Sequence, residues 1–407
     1  MNTVSNLKFV KDIIKIERIN TITGGIMNDI EIVIKLKNMD NGKSRIHRLS
    51  SFLYKYKNNA PKYVSDIADD IVVFLNYIYF TLNSKELKCI EDLTFDIGTN
   101  FLEMYSNNRS YHSTIKMDKN LTNFYFFLCE KKLLKYISTS DFNLSVSRNG
   151  KKIIESPFKG TYRLYKENSS KPTHNMDLDI MFDFIYAVCE HSPNIALGVY
   201  FQFFGGLRIS EVISLEYSDL SLKGYFGSQG ISLNIQRKDL RPDLKSGFIK
   251  KSKKTRNQTV QSFSNLLSNL YKYHIKHFKS YEHNAIFVTP TNGLPMTEST
   301  YRNYFNKAKK QFLKALCKSD DITLKSKGFL LQNKKWSTHV GRGVFSNNIA
   351  SVAKNIAELA SCRGDSTYNA SLTYVTDNSD VETKIYNLMS DYYTKNFQNK
   401  FNDLLER

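Results

Sequence analysis

Three short stretches carry residue types that could act together on a phosphate ester. In Gly205-Gly206-Leu207-Arg208-Ile209-Ser210-Glu211-Val212, two glycines end one apolar helix and an arginine opens the next. In His339-Val340-Gly341-Arg342, imidazole and guanidinium are three residues apart and so share a helix face. Val340, Phe345, Ile349 and Val352 have the spacing of that helix's core side. The third stretch, Arg363-Gly364-Asp365-Ser366, leads to Leu372-Thr373-Tyr374-Val375. Guanidiniums grip the oxygens of a phosphodiester through forked, charge-assisted hydrogen bonds. A phenol with a pKa near ~10 can attack phosphorus if it loses its proton as it does so. A histidine can take that proton or hold an oxygen. Each stretch alone has a plainer reading: a capping arginine, a helix pair, one of 25 tyrosines. Spacing ties them together, since Tyr374 follows Arg342 by 32 residues and Asp365 by nine.

Arginine, basic hairpin, HxxR, a further box position and tyrosine, in that order, resemble the pattern of tyrosine recombinases, the phage-integrase family. GGLRISE looks like that family's first arginine box, HVGRGVFSN like its second, and RGDSTYNASLTYV like the segment ending in the nucleophile. Phe287, Pro290, Gly293, Pro295 and Thr297 resemble the turn and helix start between the boxes. The match covers about residues 175 to 380 at motif level. The resemblance implies that Arg208 and Arg342 clamp the scissile phosphate, that His339 assists, and that Tyr374 is the nucleophile. It implies a covalent 3′-phosphotyrosine with a free 5′-hydroxyl. It also implies a lysine on a hairpin as the acid for the leaving oxygen. Lys251 is the choice from the run Lys250 to Arg256, with Lys253 and Lys254 as rivals. Asp365 departs from the family, which has His or Trp there. A carboxylate beside a phosphate repels it unless protonated or paired, and Arg363 and His339 are the candidate partners. Because the phosphotyrosine conserves the bond energy, rejoining needs no ATP. The sequence has no GxxxxGK[ST] loop and no clustered acidic metal site, so no cofactor and no metal are expected. Glu211 reads as support for the Arg208 helix.

The chain that must position these groups carries 58 Lys and Arg against 39 Asp and Glu, a formal charge of +19. Such a surplus favours a polyanion, with nucleic acid the leading partner and an anionic membrane second; the resemblance makes that partner double-stranded DNA. Candidate DNA contacts are Lys250, Lys253, Lys254, Arg256, Arg302, Lys309, Lys310, Lys334 and Lys335. For many of these a solvated basic face is the bland alternative. Five cysteines without a CxxC pair point to a reducing compartment, and a bacterial, nucleoid-associated cytoplasmic protein is expected. There is no apolar run of bilayer length and no secretory pattern, so no membrane role is expected. His274 and His277, three apart on a helix without a third ligand, read as surface residues.

Periodicity divides the chain into four parts. Residues 1–57 read as a small β-rich module, in which Ile30, Ile32, Ile34 and Leu36 alternate with charged neighbours; its candidate role is arm-type DNA binding. Residues 58–138 read as a compact helical domain, which by resemblance corresponds to the family's core-DNA-binding domain, and 139–174 as a strand-like insertion and linker. Residues 175–407 read as a mixed α/β catalytic domain. The expected fold is thus mainly α with a small β-sheet. The tail carries a stripe of Val381, Ile385, Leu388, Tyr392, Phe397, Phe401 and Leu404. It could pack on its own domain; the resemblance favours docking into a neighbouring protomer of a homotetramer on DNA, with an accessory DNA-bending or directionality factor. The expected activity is site-specific recombination for a mobile element. The alternatives are a type IB topoisomerase-like relaxing enzyme and a DNA-binding accessory recombinase with a weakened site.

Overall fold

The computed structural model describes residues 6–19, 24, 26–82, 87, 89–146, 150, 152–164, 176–236, 238–244, 255–352 and 379–406. Its chain divides into two compact units, Met1–Ser169 and Ser170–Arg407.

In the first unit, the alternating isoleucines form β2 (Ile26–Asn38), paired antiparallel with β1 (Leu7–Ile19). A short β3 (Ser44–Ile46) completes the sheet in the order β1-β2-β3. A one-turn helix α1 (Ser51–Tyr54) follows, then α2 (Pro61–Asn76), which starts with proline at its first turn, where no amide donor is needed. The sheet face bearing Phe9, Lys11, Ile32 and Ile34 lies on α2. Asn76 pairs with both backbone groups of Phe9 at 2.9 Å, and Lys11 bonds Ser65 at 2.8 Å and Asp69 at 2.7 Å. Helices α3 (Phe95–Ser106) and α4 (Tyr111–Glu130) close the unit, followed by a hairpin of β4 (Leu144–Val146) and β5 (Lys152–Ile154).

One core runs through all of this. It includes Phe9 and Ile34 from the sheet, Phe52, Phe74, Phe101 and Phe124 from the helices, and Phe158 and Tyr162 from beyond the hairpin. The stretches 1–57, 58–138 and the described part of 139–174, distinct by periodicity, therefore share one interior. Asp118 of α4 is the polar tie to the last of them. Its buried carboxylate accepts from Tyr162 at 2.7 Å, from Thr122 at 3.2 Å and from Ser156.

The second unit is built around α6 (Ala196–Phe204), all nine of whose residues are buried, as expected for a helix apolar on every side. Packed on it are α5 (Leu178–His191) and α8 (Leu266–Phe278), while α7 (Ile209–Val212) directly follows. The three-stranded antiparallel sheet runs β6 (Leu220–Leu222), β7 (Ile231–Ile235), β8 (Arg256–Val260), with Ile231, Leu233, Ile235 and Val260 turned inward. Residues 236–255 connect β7 to β8.

Around the Phe287–Thr297 turn, Val288 bridges Pro295, and Gly293 adopts φ +67°. Thr297 then caps α9 (Glu298–Cys317) by accepting from the Thr300 amide at 3.2 Å. Next come α10 (Ile322–Gln332) and α11 (His339–Val352). Trp336 belongs to the core, edge-on to Phe184 and Phe305.

One expectation needs correcting. His274 is buried, not a surface residue, because it shares the inward face of α8 with Leu267, Leu270 and Tyr271. Burial pushes its imidazole down to about 4, against the hydrogen bond of Nε2 to the Ile286 carbonyl at 2.9 Å. The tail, α12 (Ser379–Asn396) and α13 (Gln398–Leu405), packs on its own unit. Met389, Tyr393, Phe397 and Phe401 enter the core beside Phe182 and Tyr186. Asn402 accepts from Asn265 and Asn269 at 3.0 Å each, and Lys400 pairs with Asp183 at 2.9 Å.

Candidate active site

Buried α6 delivers the chain to Gly205 and Gly206, and Gly206 turns it with φ +62°. A Cβ there would lie 2.3 Å from the Phe345 ring of α11, so glycine is required both for the turn and for the close approach. Arg208 stands at the N-terminus of α7, its side chain partly exposed at 29%. Glu211, three residues on, is 1% exposed and reaches back to the Arg208 backbone N–H at 2.8 Å and to its Nη1 at 3.1 Å. This is the reciprocal arrangement in which a glutamate at the third helical position satisfies an unpaired amide.

The same carboxylate holds a second guanidinium. Arg256, the first residue of β8, donates from Nη1 at 2.5 Å and from Nη2 at 3.0 Å, while its Nε bonds Gln258 at 3.2 Å. Burial would raise the Glu211 pKa. The hydrogen bond and charge of Arg256, the Arg208 amide and the Arg208 charge together outweigh it and hold Glu211 below the usual carboxylate range. The Arg256 side chain is 9% exposed. Among the expected DNA contacts it therefore has the protein interior as its environment. A sequence reader sees a basic run at this position; the signal of its second role is the acid three residues beyond Arg208.

The HxxR segment opens α11. His339 is exposed in its first turn and Arg342 follows on the same face. Arg342 is 7% exposed, and its Nη1 donates to the carbonyl of Gly206, two residues before Arg208. Helix α11 lies so close to α6 that a Cβ on Gly341 would be 2.9 Å from the Cβ of Gln202 and 3.0 Å from its carbonyl carbon. Val340, Val344 and Ile349 anchor its inner side. Two arginines far apart in sequence are thus held by one loop: Arg208 follows Gly206, and Arg342 is bonded to it.

The remaining expected residues are placed as follows. Lys250, Lys251, Lys253, Lys254, Arg363, Asp365 and Tyr374 lie outside the described residues. Arg302 of α9 pairs with Glu298 at 3.5 Å. Lys309 has turned inward. Its Nζ donates to the Trp336 carbonyl at 2.7 Å and stands 4.2 Å from the indole ring, and burial lowers its pKa. Lys310, Lys334 and Lys335 are exposed. Among the described residues no group of three or more His, Cys, Asp or Glu could hold a metal ion, and no helix is long and apolar enough to cross a membrane.

The residues between β7 and β8 are tied down near both ends. Lys238 bonds Asp219 at 2.7 and 2.8 Å and also Glu216, while Arg241 bonds Asp243 at 2.7 Å and the Pro295 carbonyl at 3.2 Å. Arg256 provides the anchor at the other end.

The fold is similar to that of solved DNA integrase structures. The structure resembles the Tn1549 transposon integrase in complex with circular intermediate DNA, with a TM-score of 0.52 and 14% identity over 83% of this chain and 97% of that one. The same integrase with transposon right end DNA gives a TM-score of 0.50, again at 14% identity, over 83% of this chain and 98% of that one. A further similar structure is the XerH site-specific recombinase bound to difH substrate, with a TM-score of 0.47 and 15% identity over 86% of this chain and 85% of that one. No protein-family model matches the chain, and no curated protein matches it in sequence.

Proposed function

We propose that the protein is a site-specific DNA recombinase serving integration, excision or transposition of a mobile element. The observation that carries this is the hydrogen bond from Arg342 to the Gly206 carbonyl, which joins the two arginine boxes at one loop. With Arg208 beside it and His339 one turn before Arg342, the loop presents two guanidiniums and an imidazole to an anionic oxygen pair. Donors fixed in advance where charge gathers are the largest catalytic contribution in many enzymes, about 3 kcal/mol for each one lost. Tyr374 attacks phosphorus, the deoxyribose 5′-oxygen leaves with a proton from Lys251, and the DNA 3′ end stays on the tyrosine. A second DNA hydroxyl reverses the step on another strand, with no nucleotide hydrolysed. Asp365, where the resembling family has His or Trp, would bring a negative charge for Arg363 or His339 to balance.

The working unit is a homotetramer on two DNA sites, aided by an accessory bending or directionality factor, in the bacterial nucleoid. Exchange of α13 between protomers would require release of Asn402 from Asn265 and Asn269, and of Phe401 from the core. The exposed Lys310, Lys334 and Lys335, together with the lysines of 250–254, supply phosphate contacts.

The test is direct. Duplexes retained from a random-sequence library identify a bound site. A version nicked close to the cleavage point then traps the covalent adduct, because the short released strand diffuses away. A protein–DNA adduct stable to denaturant, mapping by mass spectrometry to Tyr374, is expected. Specific binding without any adduct on the nicked duplex would refute the proposal.

A further inference from the structure

We infer that Arg256 is a positioning residue for the strand-cleavage site: it holds Glu211, and through Glu211 it sets Arg208, rather than contacting DNA itself. The inference rests on the recombinase reading and adds to it a residue that no box motif contains. The geometry that argues for it is specific. Glu211 is fully buried and has two oxygens to share among three donor groups: the Arg208 amide, the Arg208 guanidinium and the Arg256 guanidinium. Arg256 takes the forked geometry, one nitrogen on each oxygen, and so fixes the plane of the carboxylate. Arg208 binds the same carboxylate through Nη1 at 3.1 Å, and its side chain is the more exposed of the two, 29% against 9%. One arginine is therefore a fixed clamp, and the other is presented outward.

The position of Arg256 gives the clamp a second consequence. It opens β8, where the chain returns from residues 245–254, which carry the candidate acid Lys251. Its ion pair ties that return point to the helix start that carries Arg208. Lys238 ties the outgoing end to Glu216 and Asp219, just beyond the same helix. A displacement of about 1 Å in catalytic groups can cost roughly 10²-fold in rate.

The experiment uses the full chain and the nicked duplex described above, with three variants: Arg256→Gln, Arg256→Lys, and the neutral pair Glu211→Gln with Arg256→Met. Arg256→Gln should slow adduct formation by roughly 10²-fold, leave DNA affinity within about twofold, and leave the salt dependence of binding unchanged. Loss of a phosphate contact would instead lower the slope of log affinity against log salt by about 0.9. Arg256→Lys, which keeps the charge without the fork, should recover part of the rate. It also serves if the glutamine variant does not fold. The neutral pair should recover the wild-type unfolding midpoint, since it leaves no buried charge unpaired, yet stay slow in adduct formation. A weakened affinity with a reduced salt slope makes Arg256 a DNA contact and overturns the inference. So does a neutral pair that regains full rate along with stability, because the role would then be structural only. A wild type that binds the duplex and forms no adduct overturns the recombinase reading, and the inference with it.

Discussion

Replacing Glu211 with glutamine tests the centre of the site in a way that can be worked out in advance. The side chain is 1% exposed, the Arg256 side chain 9% and the Arg208 side chain 29%. Breaking a buried ion pair from one side costs about 3–5 kcal/mol, because the other charge stays desolvated. Glutamine keeps one oxygen acceptor, and Arg208 can rehydrate, which places the cost near the lower end, about 3 kcal/mol. At roughly 2–4 °C per kcal/mol for a domain of this size, the midpoint should fall by roughly 6–12 °C. Trp336 is the chain's single tryptophan and is buried in the second unit, so thermal and urea denaturation followed by its fluorescence report on that unit, the first giving the midpoint and the second the free energy. The pH dependence adds a second check. Glu211 has a folded pKa below its ordinary value of 4.5, so its stabilisation is present above that value and is lost as pH falls through the depressed one. The gap between wild type and Glu211→Gln should therefore be widest near neutrality and close below pH ~4.5. A gap under about 0.5 kcal/mol at neutral pH, or one that is unchanged at pH 3.5, would refute the reasoning.

Three other outcomes follow from the same geometry. Tyr374→Phe should abolish the covalent adduct while leaving DNA affinity within about twofold, by gel shift, because the phenol oxygen is needed to attack and not to bind. Gly341→Ala should cost about 1–3 kcal/mol in urea unfolding, since its methyl group would meet the Gln202 backbone and push α11 off α6; a neutral effect would mean that this contact is loose. His274 is neutral in its buried site, with a pKa pushed down to about 4, so the unfolded chain binds more protons than the native one between that value and the ordinary 6.5. Stability should drop by about 2 kcal/mol from pH 7 to pH 5 through this residue, and a His274→Gln variant should lose that part of the slope.

Box spacing and alternation were legible in the sequence. Ile32 and Ile34 could only make a half-buried strand, the largely apolar run from Ala196 to Phe204 only a buried helix, and the pair His339 and Arg342 only one helix face. Those are local consequences of side-chain period and need no knowledge of what packs where. Partnership was not legible, because it depends on which surfaces meet. Arg256 reads as one more cation in a basic run, and only the return of β8 beside α7 reveals that it serves Glu211. Lys309 reads as a groove-facing lysine on a basic helix, and only the placement of Trp336 draws it inward. His274 looked exposed until α8 had a neighbour, and the tail's apolar stripe could not declare whether its own core or another's would cover it. Periodicity says that a face will be buried. Tertiary structure decides against what, because long-range packing and desolvation, not chain-neighbour geometry, choose the partner.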